Sequence, residues 1–166
     1  SKIVTFYTKS HGKLRGIAKG VRDSKTRWGG ALQAMAYLNI MFYYKENSTL
    51  HLISGAEYID QLQKTYDDHD KLQVGYRIVE LINKTTADSQ ENSNLFSLAV
   101  ETLRNLNSAT KNYVNLLFNF EFKLLKILGF EIDLDDFLRE NIDNSKVNQY
   151  FYETKYTPGD IKIMNH

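Results

Sequence analysis

Two periodicities divide the chain. Over roughly the first 56 residues apolar and polar positions alternate, the period of half-buried strands. From about Gly55 onward the apolar positions recur every three or four residues, the period of helices. Lys2 to Thr8, rich in Ile, Val, Thr, Phe and Tyr, predicts a first strand. The Ser10-His11-Gly12-Lys13 cluster follows as a turn, with Gly12 able to take a positive φ. Lys13 to Gly20 alternates again: Leu14, Gly16 and Ala18 point one way, and Lys13, Arg15 and Lys19 the other, with Ile17 among them. After the polar stretch Val21 to Gly30 comes a long apolar and aromatic strand, Ala31 to Tyr44. A Lys45-Glu46-Asn47-Ser48 turn then leads to a short strand, Thr49 to Ser54. Short strands in this number, joined by glycine-containing turns, predict a small closed barrel.

Three helical stripes follow. Leu72, Tyr76, Val79 and Ile82 fall on one, and Phe96, Ala99, Leu103 and Leu106 on the next. Leu116, Leu117, Phe120, Leu124, Ile127 and Leu128 form the third and strongest, stopped by Gly129 as a C-terminal cap. Thr85 to Asn94 reads as a loop, with Ser93 or Asn94 as N-cap of the helix after it. Beyond Phe130 the pattern is less regular: Tyr150 to Tyr152 and Asp160 to Met164 can each pair as a strand about the turn Thr157-Pro158-Gly159. The fold class is therefore α+β: a barrel over residues 1–56, an α-helical domain over 57–130, and a small module over 131–166.

Charge changes this picture more than composition does. The chain has 166 residues and a net charge of +1, but residues 1–45 hold nine Lys and Arg against the single carboxylate Asp23, a balance of +8. The remainder carries −7. Such a split predicts one module that meets a polyanion and another with a different task. Each Lys or Arg that neutralises a phosphate releases counterions, so Lys9, Lys13, Arg15, Lys19, Arg22, Lys25 and Arg27 are candidate DNA contacts. Phe6, Tyr7, Trp28, Tyr37, Phe42, Tyr43 and Tyr44 lie nearby as rings on which bases could stack, but a core role is the favoured expectation, since Phe6, Tyr37 and Phe42 occupy strand positions that a barrel must fill; Trp28 fits either role.

Catalytic chemistry finds little foothold. Cysteine is absent, which excludes disulfides, thiolate metal sites and a cysteine nucleophile. His69 lies in Asp67-Asp68-His69-Asp70, but the further ligands that a metal phosphohydrolase needs at helical spacing are missing, and acidic residues at a helix start account for the cluster. Asp133-Leu134-Asp135-Asp136 lacks the glycine and the terminal glutamate of a calcium loop. There is no phosphate-binding glycine loop, no GxSxG and no HExxH. No apolar run approaches the ~20 residues of a membrane span, and no signal peptide opens the sequence, so a soluble cytoplasmic protein with no catalytic site, no cofactor and no metal is expected.

The run from Lys2 to Arg22, with His11-Gly12-Lys13-Leu14-Arg15 and Ala18-Lys19-Gly20, resembles the N-terminal signature of the RecO family of bacterial DNA repair proteins. Gly29-Gly30-Ala31-Leu32-Gln33, and Phe120-Glu121-Phe122-Lys123-Leu124-Leu125 ending in Leu128-Gly129-Phe130, fit the same family over about residues 1–135. The resemblance implies an oligonucleotide-binding (OB) barrel followed by helices. It implies a nucleoid-associated recombination mediator that binds single- and double-stranded DNA, anneals complementary strands and contacts the C-terminal tail of single-strand binding protein (SSB). With RecR, such a mediator helps load RecA onto SSB-coated DNA. The rival reading is an adaptor that binds RecR or SSB, with vestigial DNA affinity.

Three departures from the family pattern follow. The barrel's first strand is not in this sequence, which begins where the second is expected. The four-cysteine zinc module of many members falls here on Ile132 to His166, which has no cysteine: either the module has degenerated or, the favoured expectation, packing of Phe137, Tyr150, Phe151, Tyr152 and Ile161 replaces the metal. The arginine that some relatives carry before the Phe-Glu of the late helix is absent, Phe118 and Asn119 standing there, which leaves Arg104, Lys111 and Lys123 as candidate contacts for an acidic partner peptide.

Overall fold

A hairpin opens the structure. The β-branched and aromatic run of β1 (Lys2–Thr8) pairs antiparallel with β2 (Gly12–Ala18) in unbroken register from Lys2 opposite Ala18 to Thr8 opposite Gly12. The computed structural model describes residues 1–21 and 31–130. Two further strands, β3 (Tyr37–Tyr43) and β4 (His51–Asp60), complete a sheet in the order β1-β2-β4-β3, with β2 and β4 parallel over Gly16 to Ala18. Among the described residues β1 and β3 are edges, so the sheet is open where a closed barrel was expected.

The expected strand over Ala31 to Tyr44 is shorter than its apolar content predicts. Met35 takes a left-handed φ of 64°, which no continuous strand tolerates. Ala31, Leu32 and Met35 are nevertheless buried, as irregular chain covering the core. In turn β4 runs six residues past Ser54, because pairing with β3 continues through a register shift to Tyr37 opposite Asp60. Helical structure therefore starts at Gln63, not Gly55.

The helices are a single turn, α1 (Gln63–Tyr66), then α2 (His69–Thr85), α3 (Ser93–Ser108) and α4 (Tyr113–Ile127). Their core consists of Val74, Ile78, Ile82, Leu95, Leu98, Ala99, Leu106, Phe120 and Leu124. Two of the expected stripes are thus displaced around their helices: Tyr76 stands exposed, and Leu95 and Leu98 are buried more deeply than Phe96 and Leu103. Wide apolar faces satisfy two adjacent stripes almost equally well, and packing decides between them. Of the third stripe only Leu128 is exposed. Asn92, not Ser93 or Asn94, caps α3, accepting the Leu95 N–H at 2.9 Å. Gly129, at φ 89°, ends α4 as expected: its N–H donates to Lys126 and that of Phe130 to Leu125.

The sheet has its own core, Ala18, Ala31, Leu32, Ile53 and Ala56, with Phe6 and Phe42 packed on it 5.4 Å apart between ring centroids. Lys13 is a polar link between sheet and helices. Its ammonium donates to the carbonyls of Asn83 at 2.9 Å and Thr86 at 2.7 Å, at the C-terminal end of α2, and lies 3.3 Å from the Asp88 carboxylate. The backbone follows: Ser89 N–H donates to the Lys13 carbonyl at 2.9 Å. Beside it Gly12 has φ +63°, and a Cβ there would stand 2.0 Å from the Gln90 oxygen, so only glycine admits this approach. Lys71, buried, does the same for α3, donating to the Asn107 carbonyl at 3.0 Å.

Lys13→Ala deletes a mostly buried charged donor with three partners and is expected to lower the unfolding free energy by about 1.5–3 kcal/mol. Arg15→Ala, two residues along and exposed, is expected to change it by less than ~0.5 kcal/mol. Urea denaturation of both variants checks the contrast.

Candidate nucleic-acid interface

Strand alternation sorts the sheet into two faces. Val4, Phe6, Leu14, Ala18 and Ile53 turn toward the core, while Thr5, Arg15 and Ile17 turn outward. On that outer face the registers line up one row across all four strands: Ile3 opposite Ile17, Ile17 opposite Leu52, and Leu52 opposite Tyr43. Ile3 is 54% exposed, Leu52 38% and Tyr43 66%, with Ile17 half-buried between them. Arg15 stands one step along β2, exposed, opposite Thr5. The strands hold only two carboxylates, Glu57 and Asp60, both in the last four residues of β4 and away from the row.

The candidate cations fare differently. Arg15 and Lys19 are exposed at the β2 end of this surface, and Lys9 is exposed in the β1–β2 turn. Lys13 shares their strand parity but turns onto the end of α2, where its charge is compensated within the fold. Arg22, Lys25, Arg27 and Trp28 lie outside the described residues, as do the aromatic residues of the 131–166 module. Phe6 and Phe42 fill the sheet's core as expected, but Tyr37 turns to the helices, its ring 6.2 Å from that of Phe96. Of the candidate partner contacts, Arg104 lies 5.1 Å over the Tyr37 ring and 3.3 Å from Asp60, Lys111 is exposed in the α3–α4 connection, and Lys123 is half-buried on α4.

A cavity of ≈ 630 Å³ lies between sheet and helices, lined by residues such as Val4, Leu38, Ile82 and Phe96, and a second of ≈ 410 Å³ brings Lys9 beside Glu101 and Arg104 of α3. The Tyr7 hydroxyl is buried with no hydrogen-bond partner among the described residues, and burial raises its pKa. Charged residues at the first cavity answer to other partners, Glu80 to Arg77 and Lys84, and Arg104 to Asp60, so no acid–base pair converges there.

The acidic cluster before α2 starts that helix. Asp68 accepts the N–H groups of Asp70 and Lys71 at 3.0 and 3.1 Å and the Tyr113 hydroxyl at 3.1 Å, tying the first turn of α2 to α4. These bonds, the one from Lys71 foremost, hold its carboxyl below the usual carboxylate range. His69 is exposed and meets Gln73 at 2.8 Å. Among the described residues no three His, Asp or Glu side chains converge as a metal site, and no described helix is long and apolar enough to cross a membrane.

Comparison with known proteins agrees with the geometry. The family described as Recombination protein O N terminal matches residues 1–62, and that described as Recombination protein O C terminal matches residues 66–153. The chain is 35% identical to the DNA repair protein RecO of Salinibacter ruber over 129 residues, 78% of this chain and 50% of that protein. It is 32% identical to the same-named protein of Chloroherpeton thalassium over 133 residues, 80% and 51% of the two chains. With that of Geobacter sulfurreducens it shares 34% over 134 residues, 81% and 54%. The chain spans about half the length of these relatives.

The carboxylate of Asp68 has a lower pKa folded than unfolded. The stability it confers is therefore present above the unfolded carboxylate value near 4 and declines as pH falls through the folded value. Asp68→Asn keeps a capping oxygen but removes the charge. Thermal melts between neutral pH and pH 3 are expected to show a smaller acid-induced drop in Asp68→Asn than in the unsubstituted chain.

Proposed function

Since the chain belongs to the recombination protein O family, matched over residues 1–62 and 66–153, we infer that it is a DNA repair and recombination mediator working through its cationic sheet domain. In this reading it binds single- and double-stranded DNA and anneals complementary strands, and with RecR it helps load RecA onto SSB-coated DNA. The observation that carries the reading is the exposure of Arg15, Lys19 and Lys9 on and beside a sheet face whose carboxylates lie only at its far end.

Annealing needs no bond to be made or broken. Two strands repel because each is a polyanion; a cationic surface lowers that repulsion and holds them until bases pair. The reading therefore assigns no catalytic residue and no cofactor, and a place in the bacterial cytoplasm with the nucleoid. Arg15, Lys19 and Lys9 act on phosphates, joined by Arg22, Lys25 and Arg27. Lys13 does not join them, since its own charge is compensated inside the fold. The helical domain, acidic in balance, docks protein partners, with Lys111 and Lys123 the candidates for the SSB tail. Arg104, shared with Asp60, contributes less.

Replacing Arg15, Lys19 and Arg22 together with Glu is expected to weaken oligonucleotide binding at least tenfold while circular dichroism keeps its helical signal. The slope of log affinity against log salt is expected to become shallower by ~0.7 for each single-strand phosphate that the variant no longer neutralises. Affinity and slope unchanged in the triple variant favour the adaptor reading instead.

A further inference from the structure

The geometry points to a slot for one more β-strand, supplied by a partner protein, between the open edges of β1 and β3. Strand addition of this kind draws affinity from main-chain hydrogen bonds and selectivity from side-chain pockets. The inference concerns a protein ligand and does not rest on the reading of the chain as a DNA binder.

The cavity of ≈ 630 Å³ between sheet and helices runs along strand edges rather than over a face. Four consecutive residues of β1, Val4, Thr5, Phe6 and Tyr7, line it, as do the adjacent Tyr37 and Leu38 of β3. Side chains alternate between faces along a strand, so a space that touches both parities lies beside the backbone. Burial agrees. The central strands β2 and β4 hold fully buried residues, Leu14, Ala18, Ile53 and Ala56 among them, whereas no residue of β1 or β3 is fully buried. Val4, Phe6, Leu38 and Ile40 pack on the sheet core yet stay half-buried, because no further strand among the described residues flanks them.

The walls define the occupant. Alternate residues of an edge strand leave N–H and C=O without a ladder partner, and here two such edges border one space. A main chain in extended form answers both rows at once. The Tyr7 hydroxyl, buried there without a partner among the described residues, adds a donor for its carbonyls. The slot offers no free charge: Lys2 donates to the Leu32 carbonyl, Lys13 to those of Asn83 and Thr86, Glu80 pairs with Arg77 and Lys84, and Arg104 with Asp60. Facing the strand edges are Ile82, Phe96 and Leu103 of α2 and α3. The segment that fits is uncharged, about as long as the seven residues of either edge, and apolar on both faces like a strand buried between two layers. A nucleic-acid strand, charged at every phosphate, does not suit such walls. Nor do residues 22–30 and 131–166 supply the segment, since their longest run without Asp, Glu, Lys or Arg is the six residues Val147 to Tyr152, two of them amides. The strand therefore comes from another protein.

A synthetic peptide tests the slot: about seven valine, isoleucine and phenylalanine residues, with a lysine at each end for solubility. Two further versions carry N-methyl groups on alternate backbone nitrogens, one on the odd set and one on the even. The peptide is expected to bind the chain and to slow amide exchange on both β1 and β3. Each methylated version is expected to bind about tenfold more weakly, since alternate N–H groups of a strand face opposite edges. All changes are made in the peptide, so the fold of the chain is untouched. Absence of binding, or binding that neither methylated version weakens, overturns the slot. A loss in one version only leaves a single edge in use and overturns it too. If the slot-facing amides of β1 and β3 are already protected in the chain alone, the slot is filled without a partner: by the chain's own residues 131–166 where sedimentation gives a monomer, by a second copy where it gives a dimer. Either result overturns the partner strand.

Discussion

A lysine ammonium set against the open carbonyls at the end of a helix is the contact on which this arrangement depends. The last turn of α2 leaves carbonyls without helical partners, and the negative end of the helix dipole gathers there. Lys13 answers both, reaching from β2 to Asn83 and Thr86, while Asp88 balances its charge. Because β2 lies between β1 and β4, fixing this one strand fixes the sheet against the helices. Gly12 makes the approach sterically feasible, since any side chain there meets the Gln90 backbone.

That constraint divides residues alike in type and close in sequence. Lys13 and Arg15 share a strand and a parity, yet the first is enclosed by the helical domain and the second faces water. The same face accordingly changes character along its length: Tyr7 packs against the helical core, with its ring 6.5 Å from Phe96, whereas Ile3 on the same strand lies bare. Helices cover one end of the outer face and leave the other end exposed. The helical domain thereby determines which part of the sheet meets solvent.

What was legible in the sequence was local. The β1 run, the turn with Gly12 and the Gly129 cap follow from residue type and spacing, and all three stand where they were expected. The displaced stripes of α2 and α3 show where spacing ceases to decide, because two neighbouring faces were almost equally apolar. Contacts across long stretches of chain were out of reach altogether. Nothing near Lys13 announces that its partners lie 70 and 73 residues away, and a count of cations places it with Arg15. The apolar row was hidden for the same reason: alternation puts Met41 and Tyr43 on one face of β3, but only the pairings with Leu52, and of Leu52 with Ile17, make the four residues a line.

An irregularity lies beside the row. Phe42 opposes Ile53, but Met41 opposes Gly55, so β4 holds one more residue than β3 at this point. With strict alternation Gly55 would share the inward face of Ile53 and Ala56 would turn outward. The extra residue instead lets both Ile53 and Ala56 face the core, with the Ser54 hydroxyl bonded to the Met41 carbonyl at 3.2 Å. Gly55, now beneath Met41, has no room for a side chain: a Cβ there would stand 2.4 Å from the Met41 methyl. Without the bulge, the half of β4 that pairs with Tyr37 to Met41 would exchange its faces, placing Glu57 in the core and Ala56 outside. Burying an unpaired carboxylate is far costlier than burying a methyl group. The core of the sheet therefore enforces the bulge. Leu52 and Tyr43, on the regular side of it, keep their outward direction while the rest of β4 is reset to fill the interior.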